Sequence, residues 1–119
     1  MTPKKAASDP GAGVNAVSLV GRVSASPETR RLPSGADLVT FRLIVPRPRV
    51  PGGGAGERTR VDVVDIACWS ARTRRAAARL DSDVVVRVEG SLRRRFFQAG
   101  AGAASRYEVE ATSLSRVTS

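Results

Sequence analysis

The sequence predicts an all-β domain: a five-stranded, partly open barrel with one short helix between its third and fourth strands. Three observations carry this reading. Five segments alternate apolar and polar residues with the period of two that half-buried strands show. The one stretch with helical spacing is short and follows the third of these segments. The 119 residues, 41% of them hydrophobic, are enough for one core and too few for two ordinary domains.

Residues 1–13 carry Pro, Gly, Ser and Ala without a hydrophobic period and read as a disordered arm. The folded domain is placed at 14–117, with 118–119 as a C-terminal end. The first strand begins near Val14, where Val17, Leu19, Gly21 and Val23 alternate with Ser18, Val20 and Arg22. Pro27 and then Pro33-Ser34-Gly35 mark turns. In the second strand Phe41, Leu43 and Val45 share one face, and Thr40, Arg42 and Ile44 the other. Pro46 and Pro48 end it, and residues 46–58 form a long loop rich in Pro, Gly and Arg that carries Arg47, Arg49 and Arg58.

The third strand runs from Val61 to Trp69, with Val61, Val63, Asp65, Ala67 and Trp69 on one parity and Asp62, Val64, Ile66 and Cys68 on the other. Ser70 is placed to cap a helix over about 71–80, whose Thr73, Ala76, Ala77 and Leu80 make a small apolar foot. Asp81-Ser82-Asp83 turns into the longest strand, Val84 to Phe97. There Val86, Val88, Gly90, Leu92, Arg94 and Phe96 share one parity, and Arg93, Arg95 and Phe97 the other. Residues 98–104 read as a second flexible loop. The last strand, about Ser105 to Val117, sets Tyr107, Val109 and Ala111 against Glu108, Glu110 and Thr112. Five antiparallel strands with a helix in this position describe an OB-fold, whose ligand face is strands 2 and 3 with the loops joining 1–2 and 4–5.

Composition narrows the function. Twenty Lys and Arg against eleven Asp and Glu give a formal charge of +9, and Lys4 and Lys5 are the only lysines. Such a chain suits a polyanionic partner, nucleic acid before an anionic membrane surface. The absence of histidine removes His-based acid–base catalysis, the Ser-His-Asp triad and His-ligated metals. A lone cysteine, Cys68, excludes an intrachain disulfide and a Cys-cluster zinc site; its parity opposite Trp69 suits a buried structural thiol. No apolar run approaches the ~20 residues of a membrane span. No apolar segment follows the N-terminal lysines as a signal peptide requires, so the cytoplasm is the expected location.

Asp62 and Asp65 lie three apart on a strand and face opposite sides, and turn chemistry accounts for Asp81 and Asp83, so a catalytic metal site is not expected. The Gly52-Gly53-Gly54 run lacks the Gly-Lys-Ser/Thr of a phosphate loop. Neither enzymatic activity nor a cofactor is expected. Phe97 and Trp69 are the residues of interest. An aromatic aligned with Arg93 and Arg95 on an outward strand face suits single-stranded nucleic acid: every base has a π-face, and arginine tracks phosphates and stacks as a cation. Each aromatic also has a structural reading, Trp69 closing the barrel end and Phe97 covering an apolar patch.

The sequence resembles the bacterial single-stranded DNA-binding protein family. The segments that carry the likeness run in the family's order: residues 14–22, Pro27-Glu28-Thr29-Arg30, Pro33-Ser34-Gly35, Val39-Thr40-Phe41-Arg42-Leu43, Ile66-Ala67-Cys68-Trp69, residues 86–93 and Tyr107-Glu108-Val109. The resemblance implies a homotetramer of OB-folds, associated with the nucleoid, that wraps single-stranded DNA without sequence preference in replication, recombination and repair. The expected binding set is Trp69, Phe97, Arg93, Arg95, Arg42 and Arg49, and the resemblance puts Trp69 and Phe97 at two of the family's aromatic positions. At two others the chain departs, with Arg49 and Val63 where the family carries aromatics. The family's long acidic-tipped tail, which recruits other proteins, is not expected, since the sequence stops at Arg116-Val117-Thr118-Ser119. The alternative function is an OB-fold module that binds a protein partner and nucleic acid only weakly; an RNA-binding cold-shock-like role lacks its aromatic-rich strand motifs.

Overall fold

The computed structural model describes residues 11–48 and 60–117. Most of the expected basic loop, with Arg49 and Arg58, and most of the expected N-terminal arm lie outside the described residues. In chain order the elements are β1 (Val17–Val23), β2 (Glu28–Arg31), β3 (Asp37–Pro46), β4 (Val61–Cys68), α1 (Ala71–Ala78), β5 (Val85–Ala99) and β6 (Gly102–Arg116). The sheet order is β1-β5-β6-β4-β3-β2, and β1 also pairs with β3, so five strands close into the expected barrel. Two of its seams are short. β4 and β6 run parallel through Ile66–Val109 and Ala67–Glu110, and β1 meets β3 only at Arg22–Ile44 and Val23–Leu43.

Four residues expected within a turn region form an extra strand. β2 pairs antiparallel with β3 from Glu28–Thr40 to Arg31–Asp37 and is exposed throughout. An all-polar Glu-Thr-Arg-Arg segment has no alternation to reveal it.

The core gathers Val23, Phe41, Leu43, Ile66, Val86, Val88 and Val109. The strand faces follow the pleat: Phe41 and Leu43 are buried and Arg42 between them is exposed. Ser70 caps α1, its hydroxyl accepting from the Thr73 N–H at 3.1 Å. Ala77 and Leu80 form the buried apolar foot, in contact with the core cluster. No helix among the described residues is long and apolar enough to cross a membrane.

β5 and β6 leave the barrel together. Their register slips between Glu89 and Gly90, where Gly90 faces Ala111. A side chain at Gly90 would place Cβ 2.9 Å from the Glu110 carbonyl carbon and 3.1 Å from Ala111 Cα, nearer still to the Glu110 oxygen. The close approach of β6 backbone at this register slip leaves room only for glycine. Beyond it the two strands run on as an arm to a tight turn. Asn15 braces its root, exchanging two 2.7 Å hydrogen bonds with the Leu92 backbone beyond the last β1–β5 residue pair. Residues 98–104 therefore do not form a loop. Ala99 pairs with Gly102, and Gly100 turns the chain at a φ of 59°.

Cys68 is fully buried beside Thr73, and burial pushes its thiol from 9.0 up to about 12. The folded state thus holds the neutral thiol, while the unfolded chain ionises it near pH 9. The stability this group contributes is complete below pH 9 and is lost as pH rises from there toward 12. A thiol-specific disulfide reagent at pH 8 is expected to label Cys68 only in denaturant; rapid labelling of folded protein would contradict this burial.

Candidate nucleic-acid interface

A groove of about 600 Å³ opens between the β2–β3 hairpin and the β5–β6 arm. β3 contributes Arg42 from its outward parity, β4 contributes Asp65, and β2 contributes Arg30. Trp69 stands at the β4–α1 junction, where the Arg74 side chain donates to its backbone carbonyl. The arm supplies Arg95, Phe97, Arg106 and Glu108.

Each groove aromatic at the two expected positions lies under a guanidinium. Arg95 sits 4.5 Å from the Trp69 ring centroid, and Arg106 sits 5.2 Å from that of Phe97. The two arginines are held with different strength. Arg95 pairs with Glu108 at 2.8 Å, and that carboxylate is largely buried. Arg106 reaches Asp65 only at 3.7 Å, and Asp65 also takes Arg42 at 3.3 Å. Phe97 remains 40% exposed, whereas Trp69 is half-buried. The Trp69 Nε1 is buried without a hydrogen-bond partner among the described residues. Stacking and packing, not a polar anchor, set that ring.

The groove thus brings Trp69, Phe97, Arg95 and Arg42 together. Arg93 does not line it and pairs with Glu110 at 3.0 Å, while Arg49 lies outside the described residues. Val63 is 56% exposed on β4. Sequence reasoning missed Arg106, Asp65 and Glu108 as site residues. The signal was available in the alternation Arg106, Glu108, Glu110, which runs opposite Arg93 and Arg95 once the β5–β6 register is known. At the foot of residues 49–59, the Arg47 N–H donates to the Arg60 carbonyl at 2.7 Å, and its guanidinium meets Asp62 at 2.8 Å. The hydrogen bonds from Arg47 hold the Asp62 carboxyl below the usual carboxylate range. Among the described residues no group of three or more Asp, Glu or Cys is placed to hold a metal ion.

The chain has counterparts among known proteins. Residues 14–117 match the single-strand binding protein family. The "Single-stranded DNA-binding protein 3" of Listeria innocua serovar 6a is 32% identical over 89 residues, which are 75% of this chain and 54% of that protein. The chain therefore spans about half the length of this curated relative. A solved "Plasmodium falciparum SSB complex with ssDNA" shares the fold with a TM-score of 0.76, covering 92% of this chain and 100% of that one at 19% identity. The length of the match settles the family: this chain is a member of the single-strand binding protein family.

Proposed function

We propose that the chain is a non-enzymatic, sequence-tolerant binder of single-stranded DNA that protects exposed strands in replication, recombination and repair. The observation that carries this reading is the groove in which two aromatic rings each lie under an arginine. Bases splayed from a single strand stack on such rings, and a duplex keeps its bases hidden. Arg106 is the looser clamp. An incoming base takes its place over Phe97, and the freed guanidinium exchanges Asp65 for a phosphate. Arg95 stays on Glu108 and extends the Trp69 platform with its own planar face. Arg42 and Arg30 line the path of the backbone. In the proposed domain, 14–117, Arg93 takes a peripheral role, and Arg49 stays in the proposed binding set on its charge alone.

Oligo-dT and a duplex of equal length, titrated at the same salt, test this. Much tighter binding of the single strand is expected, and equal affinity would sink the proposal. A homotetramer belongs to the same reading. β1 pairs with β5 along Val17–Arg22 but meets β3 only at Arg22 and Val23, which leaves a strand edge for another copy. Sedimentation of a monomer at micromolar concentration would refute that part. The cytoplasm, at the nucleoid, is the location that suits this role.

Asp65 restrains two groove arginines and repels phosphate. Asp65→Asn is therefore expected to tighten single-strand binding severalfold at low salt, with a log–log salt slope steeper by up to about 0.7. The gain should vanish at high salt. Weaker binding by this variant would show that Asp65 serves to position the arginines instead.

A further inference from the structure

We propose that the other face of the β5–β6 arm is a second contact for the same single strand, formed by Arg94, Phe96 and Tyr107, onto which the strand passes as it leaves the groove. This rests on the single-strand reading above and extends it to a surface outside the groove's two arginine-capped rings.

The face is the continuation of the core side of both strands. Phe96 shares its parity with Val86 and Val88, and Tyr107 shares its parity with Val109 and Ala111. Those four aliphatic residues are buried in the barrel. The arm carries the same parity past the barrel's end, so Phe96 is 72% and Tyr107 58% exposed. Two aromatics on the apolar side of a hairpin thus stand largely open to solvent.

Arg94 lies between them. Its guanidinium is 5.0 Å from the Phe96 ring centroid and 5.6 Å from that of Tyr107. Its other contacts are with the Ser105 hydroxyl, at 3.1 and 3.3 Å. Among the described residues no carboxylate pairs with it, whereas its neighbours Arg93 and Arg95 are paired with Glu110 and Glu108. Of the arginine triplet, the member that points away from the groove face is therefore the one whose charge is not already matched.

An unmatched cation between two open π-faces fits an occupant that alternates flat rings with negative charge, as a single strand does. A second copy fits poorly, because a two-fold contact through this face would set Arg94 against Arg94 in a chain of net charge +9. The surface is also continuous with the groove, since Phe96 reaches its rim. A strand leaving Phe97 needs only to cross the arm's edge to reach Phe96.

The test uses the full chain with oligo-dT of about 6 and about 16 nucleotides, the short one near the lower end of an OB-fold site. For Tyr107→Ala, affinity for the 6-mer should stay within about twofold of wild type, while affinity for the 16-mer should fall about fivefold or more. Arg94→Ala should lower the salt slope for the 16-mer by about 0.7 and leave the 6-mer slope unchanged. Unchanged binding of the 16-mer, or equal losses at both lengths, overturns the inference. So does a change in sedimentation of the DNA-free variants, which would assign the face to contacts between copies. A wild type that binds neither oligonucleotide overturns the single-strand reading itself; a wild type that binds both tightly, with variants indistinguishable from it, overturns this second contact alone. Protection of Cys68 from thiol reagents checks that each variant is folded.

Discussion

Phe97→Ala should weaken binding of single-stranded DNA by roughly 10- to 100-fold, with little change in the salt slope. The ring is open to solvent on the groove side, and its arginine cap is held by a single carboxylate at 3.7 Å. A base that replaces the cap gains a stacking contact worth about 1–3 kcal/mol. Removing the ring removes that contact but no phosphate-neutralising charge, so the log–log slope should hold near the wild-type value. Trp69→Ala should cost less. Its ring is already covered by Arg95, which Glu108 fixes at 2.8 Å, so the variant loses the support beneath a platform and not the platform itself. As the only tryptophan, Trp69 also reports directly on events in the groove. Isotherms measured at three salt concentrations decide the matter. A loss for Phe97→Ala that disappears at high salt would mean that Arg106, not the ring, carried the energy.

The largest effect on stability is expected at Gly90. In Gly90→Ala the atoms nearest the new methyl group are all backbone of β6: the Glu110 carbonyl and Ala111 Cα. No flexible side chain is there to yield, so β5 and β6 must separate at the bulge from which the arm springs. Overpacking of this kind costs about 3 kcal/mol or more, a large share of the roughly 5–15 kcal/mol that holds a small domain together. Thermal unfolding should show the midpoint lowered by roughly 10 °C or more. The Cys68 thiol should also become reactive at lower denaturant. A variant as stable as wild type would show that the bulge relaxes freely.

Sequence and structure agree where a residue's face follows from the pleat alone. Phe41 and Leu43 turn inward and Arg42 outward, and Cys68 is buried, because alternation fixes the side on which each residue stands. Alternation does not say where the barrel ends. Phe96 and Tyr107 carry the interior parity, yet they lie on an arm beyond the last core layer, past the residues where β1 and β4 still pair with β5 and β6. Reading 98–104 as a loop concealed a second relationship. With Ala99 opposite Gly102, Arg95 faces Arg106 and Arg93 faces Glu108, and the diagonal pairs Arg95–Glu108 and Arg93–Glu110 follow. Without that register, the arginines of β5 read as uniformly free charge. The likeness to a family directed attention to Trp69 and Phe97, and it could not show that each is capped by a guanidinium, which depends on the β5–β6 register and on how the arm meets the β4–α1 junction.

The short parallel seam between β4 and β6 has a kinetic consequence. It joins Ile66 to Val109 across the helix and the whole arm, so its loop-closure entropy must be met before the contact rewards it. The β3–β4 and β5–β6 hairpins have nearer partners and should form first. Asp65 and Trp69 come from one side of the seam and Arg106 and Glu108 from the other, so the groove does not exist until the seam does. In refolding followed by stopped flow, capture of oligo-dT should appear with the slowest folding phase, not with the early gain of β-structure. Binding in the early phase would mean that one hairpin alone makes the site. During folding, then, a partly assembled chain would lack the groove's grip on a single strand, and a strand already bound there would hold the last-formed seam shut.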